Sequence, residues 1–331
     1  MTSALSALSL TLTDWAKRLD PDGSPARVIE LLTQRNEVLK DVTWMEGNEK
    51  MGHVTTQRTG LPDVYYRLIN QGVSSSKSTT AQITEGISIL EGRSQLDVKL
   101  AEMSSNPGAL RLSESMPFLE AMNQKTATTL FYGNTTASPE QFNGLAIRYS
   151  SLSAGNGGNI IDAGGANSVN TSIYLACWGD NSLHGIFPKG STVGLKHQDL
   201  GEDDAFDANN KRFRAYLDRY EWSAGIALKD WRYVVRIANI DKTKLVTEIS
   251  AADLIKSMLK AYSLIPSFEG VSAALYMNRT VFQMLAIQRA AAVSAGAGIT
   301  YENVDGKFTP SFMGIPVRIC DSLVNNETRV V

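Results

Sequence analysis

The chain has 331 residues, 43% of them hydrophobic, with 32 Lys and Arg against 34 Asp and Glu for a formal charge of −2. That is enough for one large or two ordinary domains with a real core, which excludes wholesale disorder. There is no basic excess to point to nucleic acid, and two cysteines, Cys177 and Cys320, cannot make a disulfide framework.

The first residues, Met1 to Thr13, lack the positive region of a secretory signal, and Ser and Thr interrupt their apolar positions too often for a membrane span. A soluble intracellular product is expected. Leu5, Leu8, Leu12, Trp15 and Leu19 mark a short amphipathic piece of an N-terminal arm. Ser24 before Pro25 is a strong helix start, and Val28, Leu31, Leu32, Val38 and Leu39 give that helix an apolar stripe. It either lies on the body or binds a partner.

Gly52 to Gly60 and Leu61 to Ile69 predict a long extended segment. A polar run from Asn70 to Thr80 turns it, and Ile83, Ile87 and Ile89 alternate on the way back, as in a hairpin. Such a hairpin has too little apolar area to stand alone in water. Arg58, Arg67, Lys77, Glu85, Glu91 and Arg93 put both signs along it. They form either a solvated face or a set of charges for an adjacent subunit.

A short helical piece with Leu96, Val98, Leu100 and Met103 follows, and then a long helix over 113–132. Ser113 or Ser115 would cap it, Pro117 would fall in its first turn, and Gly133 would close it. Its expected buried stripe is Phe118, Leu119, Met122, Ala127, Leu130 and Phe131. Beyond a turn-rich joint at 135–144, short strands are predicted at Leu145–Tyr149, Ser172–Trp178, Gly185–Phe187 and Arg232–Ile240. The Gly- and Asn-rich run 150–170 lacks the spacing of a phosphate cradle and is expected to be a surface loop.

Asp203 and Asp204 stand against Lys211, Arg212 and Arg214 in the sharpest charge contrast of the chain, expected on one loop. Taken as a calcium loop from Asp207, the run offers Lys211 where a ligand is needed, so no metal is expected. Ser250 to Asp253 predicts the start of one helix, and Asn278 or Thr280 that of a second, which runs into Ala290–Ala292 and Gly296. Phe308–Gly314 and Ile315–Cys320 end the pattern with a buried strand. No motif supports catalysis or a cofactor: His53, His184 and His197 lack metal spacing, and there is no nucleophile elbow.

The order of several stretches is nevertheless specific. They are Leu61-Pro-Asp-Val-Tyr-Tyr-Arg-Leu-Ile-Asn-Gln-Gly72, Ser76-Lys-Ser-Thr-Thr80, Leu130-Phe-Tyr-Gly-Asn134 and Pro139-Glu-Gln-Phe-Asn-Gly-Leu145. Ile186-Phe-Pro-Lys-Gly190, Asp230-Trp-Arg-Tyr-Val-Val-Arg-Ile237 and Met313-Gly-Ile-Pro-Val317 complete the set. The chain thereby resembles tailed-phage major capsid proteins of the Hong Kong 97-type fold, in particular those of short-tailed phages of the epsilon fifteen and Bordetella phage kind.

The resemblance implies an α+β fold with an N-terminal arm and first helix (1–51), an E-loop hairpin (52–98) and a P-domain with its spine helix (99–144). It further implies an A-domain (145–300) and a C-terminal strand region returning to the body (301–331), with a rearranged strand topology because the chain ends soon after Val317. It implies a non-enzymatic virion protein that forms pentamers and hexamers in an icosahedral shell around double-stranded DNA, held by non-specific proximity. Expected partners are a separate scaffolding protein, a portal and a decoration protein, with assembly in the host cytoplasm and no membrane. Arg58, Arg67, Lys77, Glu85 and Arg93 become the expected intersubunit residues of the E-loop. Asp203, Asp204, Lys211, Arg212 and Arg214 become the expected ring contacts. The competing possibility is a soluble cytoplasmic α/β enzyme or ligand-binding protein with a site around residues 150–170.

Overall fold

Strand β6 (Asn170–Trp178) shows why the core sits where it does, because all nine of its residues are buried. The computed structural model describes residues 33–331 except 105, 167, 208, 249–251, 293–298 and 305–306. The amphipathic piece from Leu5 to Leu19 and the helix start at Ser24 lie outside the described residues, as do Ser250 and Gly296.

β6 runs antiparallel to β10 (Val234–Asp241) on one side and to β11 (Ser272–Met277) on the other. β14 (Ile315–Ile319) adds in parallel to β11, and the short β5 (Ile160–Asp162) adds in parallel to β10. Side chains alternate across this hub at the strand period of two. Tyr174, Ala176 and Trp178 face one apolar layer with Val38, Leu130, Phe131, Leu145 and Tyr149. Ile173, Leu175 and Cys177 face the other, with Leu254, Met258, Val281 and Leu285.

The first layer holds α1 (Val38–Asp41), the C-terminal half of α3 (Pro107–Tyr132) and α4 (Leu145–Arg148). The second holds α5 (Lys242–Thr247), α6 (Leu254–Leu264) and α7 (Arg279–Ala292). Asp253 caps α6 by accepting from Lys256 N at 2.9 Å, and Asn278 caps α7 by accepting from Val281 N at 2.8 Å. β13 (Lys307–Phe312) turns into β14 through Met313 and Gly314, at φ of 52° and 81°, the conformation of a two-residue hairpin turn.

β7 (Leu183–Phe187) carries β1 (Trp44–Glu46) in parallel and meets the last residues of β9 (Arg212–Leu228) antiparallel. The rest of β9 leaves the hub and lies between β8 (Lys196–Phe206) and β4 (Ser88–Asp97). One 17-residue strand therefore ties the hub to an outlying three-stranded sheet. The N-terminal half of α3 and the short α2 (Val98–Met103) lie against that sheet. The hairpin of β2 (Gly52–Gly60) and β3 (Thr79–Gly86) is a separate two-stranded sheet.

The last residues close the hub. Glu327 pairs with Arg236 at 2.7 Å with both side chains 5% exposed, and accepts further bonds from the Ser172 and Tyr132 hydroxyls. Asn239, at φ 59° in a bulge of β10, donates to the Val330 carbonyl and accepts from its N–H.

Several sequence expectations need correction. α3 starts six residues earlier than expected, because Asn106 rather than Ser113 or Ser115 supplies the capping oxygen, to Ala109 N at 3.0 Å. Pro107 takes the position where a missing N–H costs nothing, and Pro117 lies inside the helix. Gly133 does not end α3 in a left-handed turn; its φ is −55°, and glycine is required because a Cβ would stand 2.2 Å from the Phe142 carbonyl. Leu145–Tyr149 is helical, not extended, with Tyr149 N bonded to the Leu145 carbonyl. Leu96 ends a strand instead of starting a helix. The 150–170 run is not a plain surface loop. Asn159 is buried and donates to the carbonyls of Arg232 and Val234, which pins the run to the start of β10.

Candidate assembly surfaces

The arm is built from the root outward. β2 and β3 pair from Gly52↔Gly86 to Gly60↔Thr79, with a register shift after Arg58. At the root, Glu85 is buried and Arg148 of α4 holds it bidentately, one contact measuring 2.7 Å. Ile87, just past β3, packs on Ile186 and Ala227. Midway along β2, Gln57 Nε2 donates to the Leu228 and Lys229 carbonyls at 3.1 and 2.8 Å. Beyond Gln57, no hydrogen bond among the described residues joins the arm to the body. Between the arm and residues Asn181 and Lys229–Arg232 lies an open groove of about 710 Å³.

Residues 61–78 form no strand, so the extended Leu61–Ile69 expected to continue β2 is irregular. Pro62 cannot donate to a ladder, and the turn bond Gln71 N to Leu68 O closes the tip. Leu61, Val64, Tyr65, Tyr66, Leu68, Ile69 and Val73 are all exposed there, Ile69 at 89%. Large apolar residues exposed together in this way are the usual mark of an interaction surface. The sequence predicts an extended segment over 61–69 and a polar turn over 70–80, not an exposed apolar tip. The signal was available as seven large apolar residues within thirteen positions, but they carry no helical or strand period.

A second apolar face lies on the N-terminal half of α3. Leu112, Met116 and Leu119 are exposed at the i, i+4, i+7 spacing of one helix face, and Met103 of α2 is exposed as well. Leu119 was expected inside; the buried part of the stripe starts only at Met122.

The expected intersubunit residues divide. Arg58, Arg67 and Lys77 are exposed on the arm with no ion pair among the described residues. Glu85 is buried and already paired with Arg148 within the subunit. Arg93 is not on the arm: β4 leaves the hairpin after Gly86 to pair with β9, and Arg93 bonds Glu91 at 2.7 Å. Hydrogen bonds from Arg93 and then Arg219 hold the Glu91 carboxyl below its ordinary range.

The expected ring contacts lie not on a loop of the hub but at the tip of the β8–β9 ribbon in the outlying sheet. Asp204 faces Arg212 and Arg214, each at 3.5 Å, and Arg214 also meets Glu202 at 3.1 Å. Only Asp203 and Lys211 of the five have no ion pair among the described residues. Lys211 N and Asn209 N both bond Asp207 Oδ1, which shapes the turn and uses the carboxylate that a cation would need. Among the described residues, no cluster of three metal-ligating side chains occurs, and no helix is long and apolar enough to cross a membrane.

Deeper on the ribbon, His197, Tyr220 and Phe118 stack, with centroids 4.8 and 5.4 Å apart. Arg111 of α3 reaches Asp199 at 2.8 Å and Asp218 at 3.0 Å over the Tyr216 ring. Its hydrogen bond keeps the Asp199 carboxyl below the usual range. Cys177 and Cys320 are buried thiols that burial pushes up to about 12, so neither is a nucleophile at neutral pH.

The family model described as major capsid protein GP7 matches residues 20–331 of the chain. A protein chain in the near-atomic structure of bacteriophage Epsilon15 is 32% identical, with 99% of each chain covered and a TM-score of 0.79. A chain of the bacteriophage JBD30 capsid, 10% identical, covers 88% of this chain and 92% of its own with a TM-score of 0.50, a likeness of fold alone. No curated protein matches.

Proposed function

This chain belongs to the major capsid protein GP7 family of phage shell proteins, and from that premise we propose that the β2–β3 arm is the E-loop through which each subunit grips its neighbour. One observation carries the proposal. The tip exposes seven large apolar side chains, and beyond Gln57 no hydrogen bond among the described residues ties it to its own body. Such a segment gains its burial only on a second copy.

The acceptor proposed is the Leu112, Met116 and Leu119 face of the neighbouring α3, an apolar stripe equally without cover. Arg58, Arg67 and Lys77 flank the tip as charges for the same neighbour. Heterologous contacts of this kind close into rings, here pentamers and hexamers of an icosahedral shell around packaged double-stranded DNA. Each contact need contribute only about 1–3 kcal/mol, because linked interfaces raise one another's effective concentration. At the ribbon tip, Asp203 and Lys211 are the charges proposed for ring contacts. The near-neutral chain suits a wall that encloses DNA without gripping its phosphates. The role is structural and not catalytic. A scaffolding protein, a portal and a decoration protein are the further partners proposed, with assembly in the host cytoplasm.

Deletion of residues 71–80 tests this. The expected product is a folded subunit with its hub intact that forms no stable particles by electron microscopy. Normal shells from the deletion would remove the arm from assembly.

A further inference from the structure

We propose that the root of the arm is an acid-released latch, in which two facing imidazoles, the half-buried His53 on β2 and the buried His184 on β7, hold the arm to the body only while both are neutral. This rests on the arm being the assembling element, and adds what would set it free.

His184 is fully buried, and neither of its ring nitrogens makes a hydrogen bond of good geometry. The ring of His53 meets it edge-on, with centroids 5.6 Å apart and planes at 89°. His53 Nδ1 is also buried without a partner, as is the Thr55 hydroxyl two residues along the same strand. At His184 a neutral imidazole tolerates the site at modest cost, whereas an imidazolium loses its hydration with little to replace it. The pair spans the junction that any swing of the arm must open.

The surrounding charges do not rescue a protonated ring. Lys229, at the end of β9, is fixed by a 2.7 Å bond from Nζ to the Asp180 carbonyl and repels a cation on either histidine. Glu85 on β3 favours the charged form of His53, but Arg148 of α4 already occupies its carboxylate. Asp180, in the turn between β6 and β7, and the Gly179 carbonyl favour a charged His184 only in part. Burial first and Lys229 second hold His184 down at about 4, and the same two causes in the same order lower His53.

The sign follows from linkage. A released His184 titrates near its ordinary 6.5 and an attached one near 4. The attachment is therefore complete above the first value and is lost as pH falls to the second. For His184 alone, the ratio of open to closed root rises by roughly a hundredfold between pH 7 and 4. The hub strands β6 and β10 carry no histidine, so the imidazole titration does not act on them directly.

The test uses the full-length unassembled subunit. Hydrogen exchange is followed by mass spectrometry from pH 7 to 4 and corrected for the chemical exchange rate. Expected is a rise approaching a hundredfold in exchange over 52–60 and 79–86, with β6 and β10 unchanged. The rise should vanish in His184→Phe and shrink in His53→Phe. Ring NMR of the wild-type histidines gives a second readout that needs no variant, with His184 neutral at pH 5.5. A ladder whose protection is flat with pH, a His184 that titrates near 6.5 in the folded subunit, or loss of β6 and β10 protection together with the ladder would each overturn the latch. The measurement needs no shell. Normal particles from the 71–80 deletion would therefore remove the assembly role and leave the latch standing, while a pH-flat ladder would do the reverse.

Discussion

Two antiparallel ribbons leave the hub and are held in opposite ways. The β8–β9 ribbon has β4 paired along its second strand, α3 laid on it, an aromatic stack of Phe118, Tyr220 and His197, and Arg111 bridging helix to sheet. Gly92 lets α3 come close there, since a Cβ at that position would stand 3.2 Å from the Phe118 ring. The β2–β3 arm has its own ladder, a charged and apolar root, the two Gln57 bonds midway along it, and a bare tip. A two-stranded sheet is marginal in water, and a third strand with a helix makes it self-sufficient. One ribbon is therefore complete within the subunit, and the other is left for a neighbour to complete.

The largest expected effect tests the complete ribbon. Tyr220 is 2% exposed between two stacked rings, so Tyr220→Ala should cost the subunit about 3–5 kcal/mol, read as a lower denaturant midpoint. The matching change on the arm, Tyr66→Ala, should leave that midpoint in place and lower only particle yield, because Tyr66 is fully exposed in the subunit. Equal destabilisation by the two would erase the contrast.

How much of this contrast was legible in the sequence depends on the range of the interactions. The β2–β3 pairing, the C-terminal part of α3 and the hub strands β6, β7 and β10 follow from local period and turn residues, and all lie close to where they were expected. The fate of β4 does not. Ser88–Asp97 follows the hairpin directly, and only its pairing with Ala215–Ala224, more than a hundred residues on, removes it from the arm. That pairing is what places Arg93 on the outlying sheet. The ion pair of Glu85 is hidden for a similar reason, since its partner Arg148 comes from a helix where the sequence predicts a strand. The charge cluster at 203–214 is legible as charge, but its position on a braced ribbon depends on β4 and α3 together.

A smaller effect is expected at the root of the arm. Glu85→Gln leaves the Arg148 guanidinium, 16% exposed, without its counter-charge, at a cost of about 2–3 kcal/mol. Because that cost falls on the junction and not on the hub, it should appear as faster hydrogen exchange over 79–86 at every pH. An unchanged thermal midpoint would accompany it. A large drop in the midpoint would mean that the arm root and the hub unfold as one unit, and the two ribbons would then differ less than their contacts suggest.

The smallest effect separates charges that serve the ribbon from those proposed for a neighbour. Arg214 and Asp204 pair in solvent, at side-chain exposures of 55% and 38%, where water and salt screen them and the ordering of a long side chain offsets the attraction. Arg214→Ala should leave the subunit's midpoint unchanged at low and at high salt. Asp203 and Lys211 have no ion pair to lose among the described residues, so Asp203→Lys and Lys211→Glu should be equally silent in the subunit. If these two side chains meet the next subunit in a ring, either reversal should lower particle yield, and the defect should be strongest at low salt. Yield that stays constant in both variants would leave the ribbon tip as a solvated turn, and the arm alone would remain as the element that reaches a neighbour.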